Sequence, residues 1–365
     1  MRADMEAILQ LPRHAAYRPV YRLVVIPVFA LSKHGVLAIV VVIHGRDASG
    51  TDKYLGPDVN SRRNNLVESR HRSNSLEPNV MSVYRNFNQE ELDHQYNVRA
   101  GIPGFQDIFL AWEKTSAAFR RANLVRENLA YGPNVKQALD FFPARTKNRP
   151  LLVFIHGGYW QSLDKSDFSY IAAPYLKRDI NVAVVNYRLA PDVGMAGIVR
   201  DNRDAVAWLY RNAEELDFDA SRIFVSGHSA GGHLTATLTG TDWETLGVPA
   251  DIVKGGCAIS GLYDLEPIRL CYLNKVVQLT EADVANYSPM RHLPMVKVPM
   301  ILTVGGDESP EYHRLQREYQ ALLTECGFDV QIVPQEGGHH FDAVDLLGDA
   351  DGTLAASVLR MIERT

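Results

Sequence analysis

One serine of this chain stands between a predicted strand and a predicted helix, with a glycine two residues away on each side. The segment is Gly227-His228-Ser229-Ala230-Gly231, the strand before it spans 223–226, and the helix begins at Ala230. The bare pattern G-x-S-x-G arises by chance in roughly one of ten chains of this length, so its structural context matters more. Between a strand and a helix, such a serine occupies a strained turn that presents its hydroxyl as a nucleophile. The alternative is a glycine-rich turn that serves only tight packing.

From residue 81 onward, short β-branched runs alternate with amphipathic stretches. Continuous apolar strands that alternate with helices predict a mostly parallel sheet with helices on both faces, an α/β fold. The first two strands, separated by Gly132-Pro133, are predicted to be an antiparallel edge pair. The predicted strands are 128–131, 138–142, 151–155, 182–186, 223–226, 257–260, 300–304 and 330–333, and the predicted helices are 89–96, 105–121, 199–216, a helix from 230, 310–326 and 354–362.

The first 80 residues have a different character. Residues 1–75 contain 11 lysines and arginines against 6 aspartates and glutamates, whereas the whole chain has a net charge of −5. Two apolar runs, 23–31 and 36–43, are each shorter than the ~20 residues of a membrane-spanning helix, and a lysine and a glycine separate them. A buried hairpin or a loose apolar segment is therefore favoured over a membrane anchor. We expect residues 1–80 to be a poorly defined extension or a misassigned start, with 46–80 a linker, and 81–365 to be the catalytic domain.

Composition excludes several classes of protein. The pI near 6.2 gives no reason to expect nucleic-acid binding. The three cysteines form no C-x-x-C pair, which argues against a disulfide framework or a zinc site and favours a reducing compartment, so a cytoplasmic location is expected. No cofactor motif is found, and none is expected to be needed. The sequence leaves a homodimer open.

A second glycine-rich segment, His156-Gly157-Gly158-Tyr159-Trp160, ends the predicted strand 151–155. Acyl transfer builds negative charge on a carbonyl oxygen, and backbone N–H groups fixed in advance stabilise that charge. We expect the N–H groups of Gly157, Gly158 and Ala230 to form this oxyanion hole. His156 is expected to be a structural, hydrogen-bonded residue. The alternative is an ordinary turn at the end of a strand.

A serine nucleophile needs a base, and the base needs a carboxylate that orients it. In hydrolases of this kind the acid and then the histidine follow the serine along the chain. Asp307 and Glu308 follow the predicted strand 300–304, and His339 and His340 follow the strand 330–333. Both pairs therefore lie after strands, where the active sites of open α/β sheets form. The residues alone do not decide which member of each pair is the acid or the base.

From about Val83 to the C-terminus the chain resembles the arylformamidases (kynurenine formamidases) of the α/β-hydrolase superfamily, next to the hormone-sensitive-lipase-like esterases. Five segments carry the resemblance: HGGYW at 156–160, GHSAGGHL at 227–234, SGLYDL at 260–265, ESPEY at 308–312 and HFD at 340–342. The resemblance implies an α/β-hydrolase fold and no cofactor. It also implies the hydrolysis of a small amide, N-formyl-L-kynurenine, to L-kynurenine and formate through an acyl-enzyme. The alternative is a carboxylesterase or amidase acting on short-acyl or aryl esters.

The resemblance also implies roles for individual residues. Ser229 is the expected nucleophile, and the H-F-D segment places the base at His340. The E-S-P-E-Y segment favours Glu308 as the acid, whereas the spacing of general esterases favours Asp307. An aryl leaving group would suit a pocket formed by aromatic side chains that could equally be core residues, namely Tyr159, Trp160, Tyr263 and Phe341.

Overall fold

The computed structural model describes residues 81–365 and, before them, the backbone of three short strands at 22–23, 43–46 and 52–53. These three strands pair antiparallel in sequence order. The chain divides into two compact units, Met1–Leu76 and Glu77–Thr365. The expectations for the apolar runs and for the linker at 46–80 lie outside the described residues, apart from those strand backbones. The assignment of 81–365 as the catalytic domain stays a prediction.

A single eight-stranded sheet forms the centre of the second unit. In the strand numbering given below, its order is β8-β7-β6-β5-β3-β4-β2-β1. The pairs β1–β2 and β2–β4 are antiparallel, and every other neighbouring pair is parallel. The α/β class with a mostly parallel sheet is thereby confirmed. The strands are β1 Arg126–Ala130, β2 Ala138–Phe142, β3 Arg149–Ile155, β4 Asn181–Val185, β5 Phe218–His228, β6 Val253–Ile259, β7 Met300–Thr303 and β8 Val330–Ile332.

Two helices of residues 81–365 precede the strands of the sheet, and the others lie between the strands or follow them. Four short 3-10 helices add to them, at 165–167, 169–172, 243–246 and 289–291. The α-helices are α1 Gln89–Tyr96, α2 Phe105–Ala122, α3 Ala173–Lys177, α4 Met195–Arg211, α5 Ala213–Leu216, α6 Ala230–Thr239, α7 Glu266–Leu270, α8 Asn274–Val277, α9 Glu281–Tyr287, α10 Pro310–Glu325, α11 Asp342–Gly348 and α12 Thr353–Arg364.

Strand β3 shows why the sheet is covered on both faces. Leu151, Val153 and Ile155 belong to one hydrophobic cluster, and Leu152 and Phe154 belong to a second cluster on the opposite face. Successive side chains of a strand point to opposite faces, so a run that is apolar throughout has to be buried on both sides. Each such side chain contributes about 1.5–3 kcal/mol when it is fully buried. This double burial fixes the central strands whose ends carry the candidate site.

Two helices precede the sheet and reach over the site. Helix α1 begins with a capping box in which Asn88 and Glu91 satisfy each other's backbone N–H groups, and it buries Tyr96. Helix α2 begins after Gly104, whose φ of 73° favours glycine, and it buries Trp112. Both helices were predicted from apolar spacing, and the bounds agree within one residue.

The helix predicted for 199–216 is in fact two helices. Helix α4 starts four residues earlier, at Met195, and ends at Arg211. The helix is capped at Asn212, where the backbone leaves the helical conformation at φ −104° and ψ 14°, and the Asn212 side-chain amide donates to the carbonyl of Trp208 at 2.8 Å. The short helix α5 then begins at Ala213. Apolar spacing continues across this break, so the sequence pattern did not reveal it.

In the part of the chain that the structure describes, no helix combines the length and the apolar character needed to cross a membrane.

Candidate active site

Ser229 lies in the sharp turn between β5 and α6, as the G-x-S-x-G pattern predicts. Its backbone has φ 58° and ψ −117°, a conformation that costs a non-glycine residue on the order of 1–3 kcal/mol. Two hydrogen bonds hold the turn: the Ser229 N–H donates to Ile259 O at 2.8 Å, and the His233 N–H donates to Ser229 O at 3.0 Å. The side chain is therefore presented from a fixed backbone.

The flanking glycines are required by close backbone contacts. A Cβ atom at Gly231 would lie 2.0 Å from the carbonyl oxygen of Ile155, and one at Gly227 would lie 2.4 Å from the oxygen of Gly231. Real Cβ atoms do not approach backbone oxygens this closely, and the strands on both sides leave no room for adjustment. The turn can therefore form only with glycine at these two positions.

His340 and Glu308 form a buried pair. The Nδ1 atom of His340 lies 2.6 Å from Oε2 of Glu308, and the two side chains are 4% and 1% exposed. The other carboxylate oxygen of Glu308 accepts hydrogen bonds from the Gly305 N–H at 2.8 Å and from the Ser260 hydroxyl. Three donors thus fix the carboxylate, and the carboxylate fixes the imidazole ring with Nε2 left for proton transfer.

The neighbouring candidates point elsewhere. Asp307 is exposed, and its backbone N–H donates to Gly338 O at 3.0 Å. His339 is paired with Asp342, with its Nδ1 atom 2.9 Å from Oδ2. Of the two carboxylates and two histidines that the sequence offered, only Glu308 and His340 meet each other.

A small cavity brings Ser229 and His340 together. Its volume is about 20 Å³, whereas a single water needs ~10–15 Å³ and small-molecule pockets usually measure ~300–1,000 Å³. The site is therefore closed in this conformation, and a substrate enters only if its walls move. The other lining residues are Val98, Arg99, Phe109, Trp112, Gly158, Tyr159, Leu163, His228 and Phe341.

The four aromatic residues expected to form the substrate pocket are divided by the structure. Tyr159 and Phe341 line the cavity, but Trp160 and Tyr263 do not. The Trp160 ring is fully buried and meets His233 edge-on, with centroids 5.1 Å apart. Tyr263 is also buried and stacks on Tyr319 at 4.3 Å. These two are core residues in this structure because each is buried against another ring and neither lines the cavity.

The three backbone N–H groups expected to form the oxyanion hole lie around Ser229. A Cβ at Gly157 would be 3.1 Å from Cβ of Ser229, so this backbone passes directly against the serine. Gly158 has φ 96°, and Ala230 is the first residue of α6, where helical N–H groups have no partner within the helix. Within residues 81–365, none of these three N–H groups donates a hydrogen bond to another part of the protein.

Two buried tyrosine hydroxyls, those of Tyr159 and Tyr312, meet near the site, and no sequence pattern selected Tyr312. The Tyr159 hydroxyl donates to Tyr96 O at 2.7 Å and lies 2.7 Å from the Tyr312 hydroxyl. Burial raises the pKa of Tyr312 well above its usual value, and the Glu308 charge acts in the same direction. Tyr312 was visible only as the aromatic residue of the E-S-P-E-Y segment.

Two further histidines near the turn are neutral structural residues. His228 is buried, its Nε2 donates to the carbonyl of His340 at 2.9 Å, and burial together with His340 lowers its pKa well below the usual value. His156 lies 2.9 Å from Gly157 O and 3.0 Å from the Asn186 side chain, and burial lowers its pKa to about 4. Both rings support the loops of the site. In residues 81–365, no group of three or more His, Cys, Asp or Glu could hold a metal ion.

His233, on the first turn of α6, should make the stability depend on pH. It is buried, its Nε2 donates to Tyr287 O at 2.8 Å, and burial lowers its pKa from 6.5 to about 4. Between pH 6.5 and about pH 4, His233 binds a proton in the unfolded chain but stays neutral in the folded chain. We therefore expect the free energy of unfolding to fall as the pH falls from 7 to 4.5, by roughly 2–3 kcal/mol from this group alone.

Urea unfolding at pH 7 and at pH 4.5 measures this loss. The variant His233→Gln keeps an amide that can donate to Tyr287 O but removes the titrating ring. The free energy of unfolding of this variant should fall by roughly 2–3 kcal/mol less than that of the wild type over the same pH interval. Equal losses in the two proteins would mean that His233 does not titrate differently in the folded and unfolded states.

Known proteins resemble this chain over most of the second unit. A protein named kynurenine formamidase from Danio rerio is 30% identical over 298 residues, which cover 78% of this chain and 100% of the fish protein. The chain belongs to the kynurenine formamidase family. Residues 139–254 also match the family model BD-FAE. The esterase LipC of Mycobacterium tuberculosis is 29% identical over 284 residues, covering 73% of this chain and 68% of that protein.

Solved structures agree with this membership. A candidate thioesterase from Silicibacter sp. tm1040 is 30% identical, has a TM-score of 0.66, and covers 74% of this chain and 99% of its own. Like other kynurenine formamidase family members and their esterase relatives, this chain is a hydrolase of the α/β-hydrolase type.

Proposed function

We propose that this enzyme hydrolyses N-formyl-L-kynurenine to L-kynurenine and formate through an acyl-enzyme on Ser229. The observation that carries the proposal is the buried Glu308–His340 pair, whose histidine lines the same small cavity as Ser229. The Danio rerio relative, named kynurenine formamidase and matched over its whole length, supports the choice of substrate.

The acylation step follows from the positions of these groups. His340 Nε2 accepts the Ser229 proton while Oγ bonds to the formyl carbon, and the carbonyl π pair moves to the oxygen. The N–H groups of Gly157, Gly158 and Ala230 stabilise this oxyanion, and one such donor is typically worth about 3–4 kcal/mol. Glu308 stabilises the imidazolium. As the carbonyl re-forms, the C–N bond breaks and the aryl amine takes the proton from His340.

Deacylation repeats these steps with water. His340 takes a proton from the water as its oxygen bonds to the formyl carbon of the Ser229 ester. The second oxyanion collapses, the bond to Oγ breaks, and the proton returns from His340 to the serine. Formate leaves, and the enzyme is restored without a cofactor.

One feature of the cavity supports an aryl amine as the leaving group. Phe109 and Phe341, with ring centroids 5.0 Å apart, offer aromatic faces to an aryl leaving group. The alternative function is a carboxylesterase acting on short-acyl or aryl esters, and the likeness to the esterase LipC supports it.

Side-by-side assays separate the two functions. The purified full-length protein is expected to show a kcat/KM for N-formyl-L-kynurenine at least ~10-fold above that for N-acetyl-L-kynurenine or p-nitrophenyl acetate, because a pocket fitted to a formyl group discriminates against one added methyl group by about 10–200-fold. Turnover of the ester alone would contradict the formamidase proposal and leave the carboxylesterase.

We also propose a cytoplasmic location, which the three free cysteines support.

A further inference from the structure

We propose that Arg99 is the binding group for a carboxylate on the substrate's leaving group, so that the enzyme prefers aryl substrates that carry a carboxylate. This inference rests on the proposed function, because it assigns part of the substrate to a residue of the same cavity. Arg99 lies in the connection between α1 and α2, and it lines the cavity that also contains Ser229 and His340. Neither the serine chemistry nor the oxyanion hole uses it.

The guanidinium group is held in place by uncharged neighbours. Its carbon lies 5.7 Å from the ring centroid of Phe105 and 5.7 Å from that of Phe109, and Nη2 donates to the Ser162 hydroxyl at 3.2 Å. Such cation–π contacts are worth roughly 0.5–1 kcal/mol each at exposed sites, and they restrict the long side chain. The positive charge is thus positioned before any substrate arrives.

This charge has no acidic partner among residues 81–365. The nearest catalytic carboxylate, Glu308, is already bound by His340, Ser260 and the Gly305 N–H. By contrast, Arg314, on helix α10, is neutralised by Glu311 and Glu318. Arg99 therefore keeps several N–H donors for an incoming anion.

The chemistry of guanidinium selects the ligand. Its planar fork binds a carboxylate through two parallel hydrogen bonds, a geometry that an ammonium group does not offer. Arg99 is exposed to solvent, and the rings of Phe105 and Phe109 beside it would pack against an aryl group. An aryl formamide whose side chain ends in a carboxylate would therefore place its ring on Phe109 and its carboxylate on Arg99, with the formyl group at Ser229.

The test compares, in Arg99→Gln, a substrate that has the carboxylate with one that lacks it. For N-formyl-L-kynurenine we expect KM to rise about 10–100-fold, the loss typical of a hydrogen bond to a charged group, with kcat within about threefold of the wild type. For its methyl ester, which lacks the carboxylate charge, both constants should stay within about threefold. Arg99→Lys should recover only part of the affinity, since it keeps the charge without the fork.

Arg121→Gln is the matched control, because this arginine is exposed at the end of α2 and does not line the cavity. It should leave both substrates unaffected. An equal loss on N-formyl-L-kynurenine and on its methyl ester in Arg99→Gln would assign Arg99 a merely structural role, and an unchanged KM for N-formyl-L-kynurenine would also overturn the proposal.

A second substrate pair keeps this test independent of the proposed function. If the wild type cleaves esters and not formamides, the formamidase proposal has failed, but the Arg99 proposal is then tested on 4-acetoxybenzoate against phenyl acetate. Arg99→Gln should raise KM for the anionic ester only. A rise in KM for 4-acetoxybenzoate alone supports the carboxylate site, and the same change in KM for both esters refutes it.

Discussion

Ser229→Ala is expected to lower kcat for N-formyl-L-kynurenine by about 10⁴–10⁶-fold, the range seen when a serine nucleophile is removed. The reason is that Oγ is the only atom of this turn that can form the acyl bond, while the oxyanion hole and the cavity remain. The measurement is kcat under saturating substrate. A sulfonyl fluoride that labels the wild type should add no mass to the variant.

The control for this substitution is Ser226→Ala, three residues earlier on β5. Its hydroxyl is buried and donates to Val153 O at 3.0 Å, so the change removes a buried hydroxyl without touching the cavity. This variant should fold and keep a kcat within a few-fold of the wild type. If Ser229→Ala retained a tenth of the activity, a serine acyl-enzyme would be ruled out.

Glu308→Gln should reduce kcat by about 10³–10⁴-fold, whereas Asp307→Asn should change it less than threefold. Replacing the orienting carboxylate of a triad by its amide typically costs about 10⁴-fold, because the imidazole takes the wrong tautomer. Here the Glu308 carboxylate contacts His340 Nδ1 at 2.6 Å, and the Asp307 side chain is exposed. Steady-state kinetics of the two isosteric variants provide the comparison.

Thermal unfolding of both variants controls for loss of structure. Glu308→Gln keeps an oxygen that can accept from the Gly305 N–H and from Ser260, so the loop should hold its shape. Similar activity losses in the two variants, or a larger loss in Asp307→Asn, would transfer the role of the acid to Asp307. Together the pair decides an alternative that the sequence left open.

The main features of the fold could be predicted from the pattern of apolar residues. The strand at 138–142 and the helix at 89–96 have the predicted bounds, and the central strands are present with shifts of a few residues. The short helices of four to seven residues, such as α7, α8 and α11, were not predicted. Isolated helices of this length are unstable in water, so tertiary packing and not local sequence determines them.

The candidate site was predictable to the level of the loops that form it. The glycines around Ser229 could be recognised from the sequence. Neighbouring backbone atoms lie so close to them that no side chain fits, and glycine is the residue type that meets this requirement. The choice between adjacent candidate residues could not be made from residue type. Whether Asp307 or Glu308 turns inward depends on donors from other loops, here Ser260 and the Gly305 N–H.

The sequence by itself determined the sheet of alternating strands and helices, the strained serine turn and the order of nucleophile, acid and base. Local sequence patterns suffice for these features, because the apolar periodicity and the glycine positions that indicate them each span only a few residues. Only the tertiary structure decided that Glu308 meets His340, that Trp160 and Tyr263 belong to the core, and that Arg99 reaches the cavity. Each of these depends on contacts between segments far apart in the chain, and side-chain direction in a loop is fixed by such contacts.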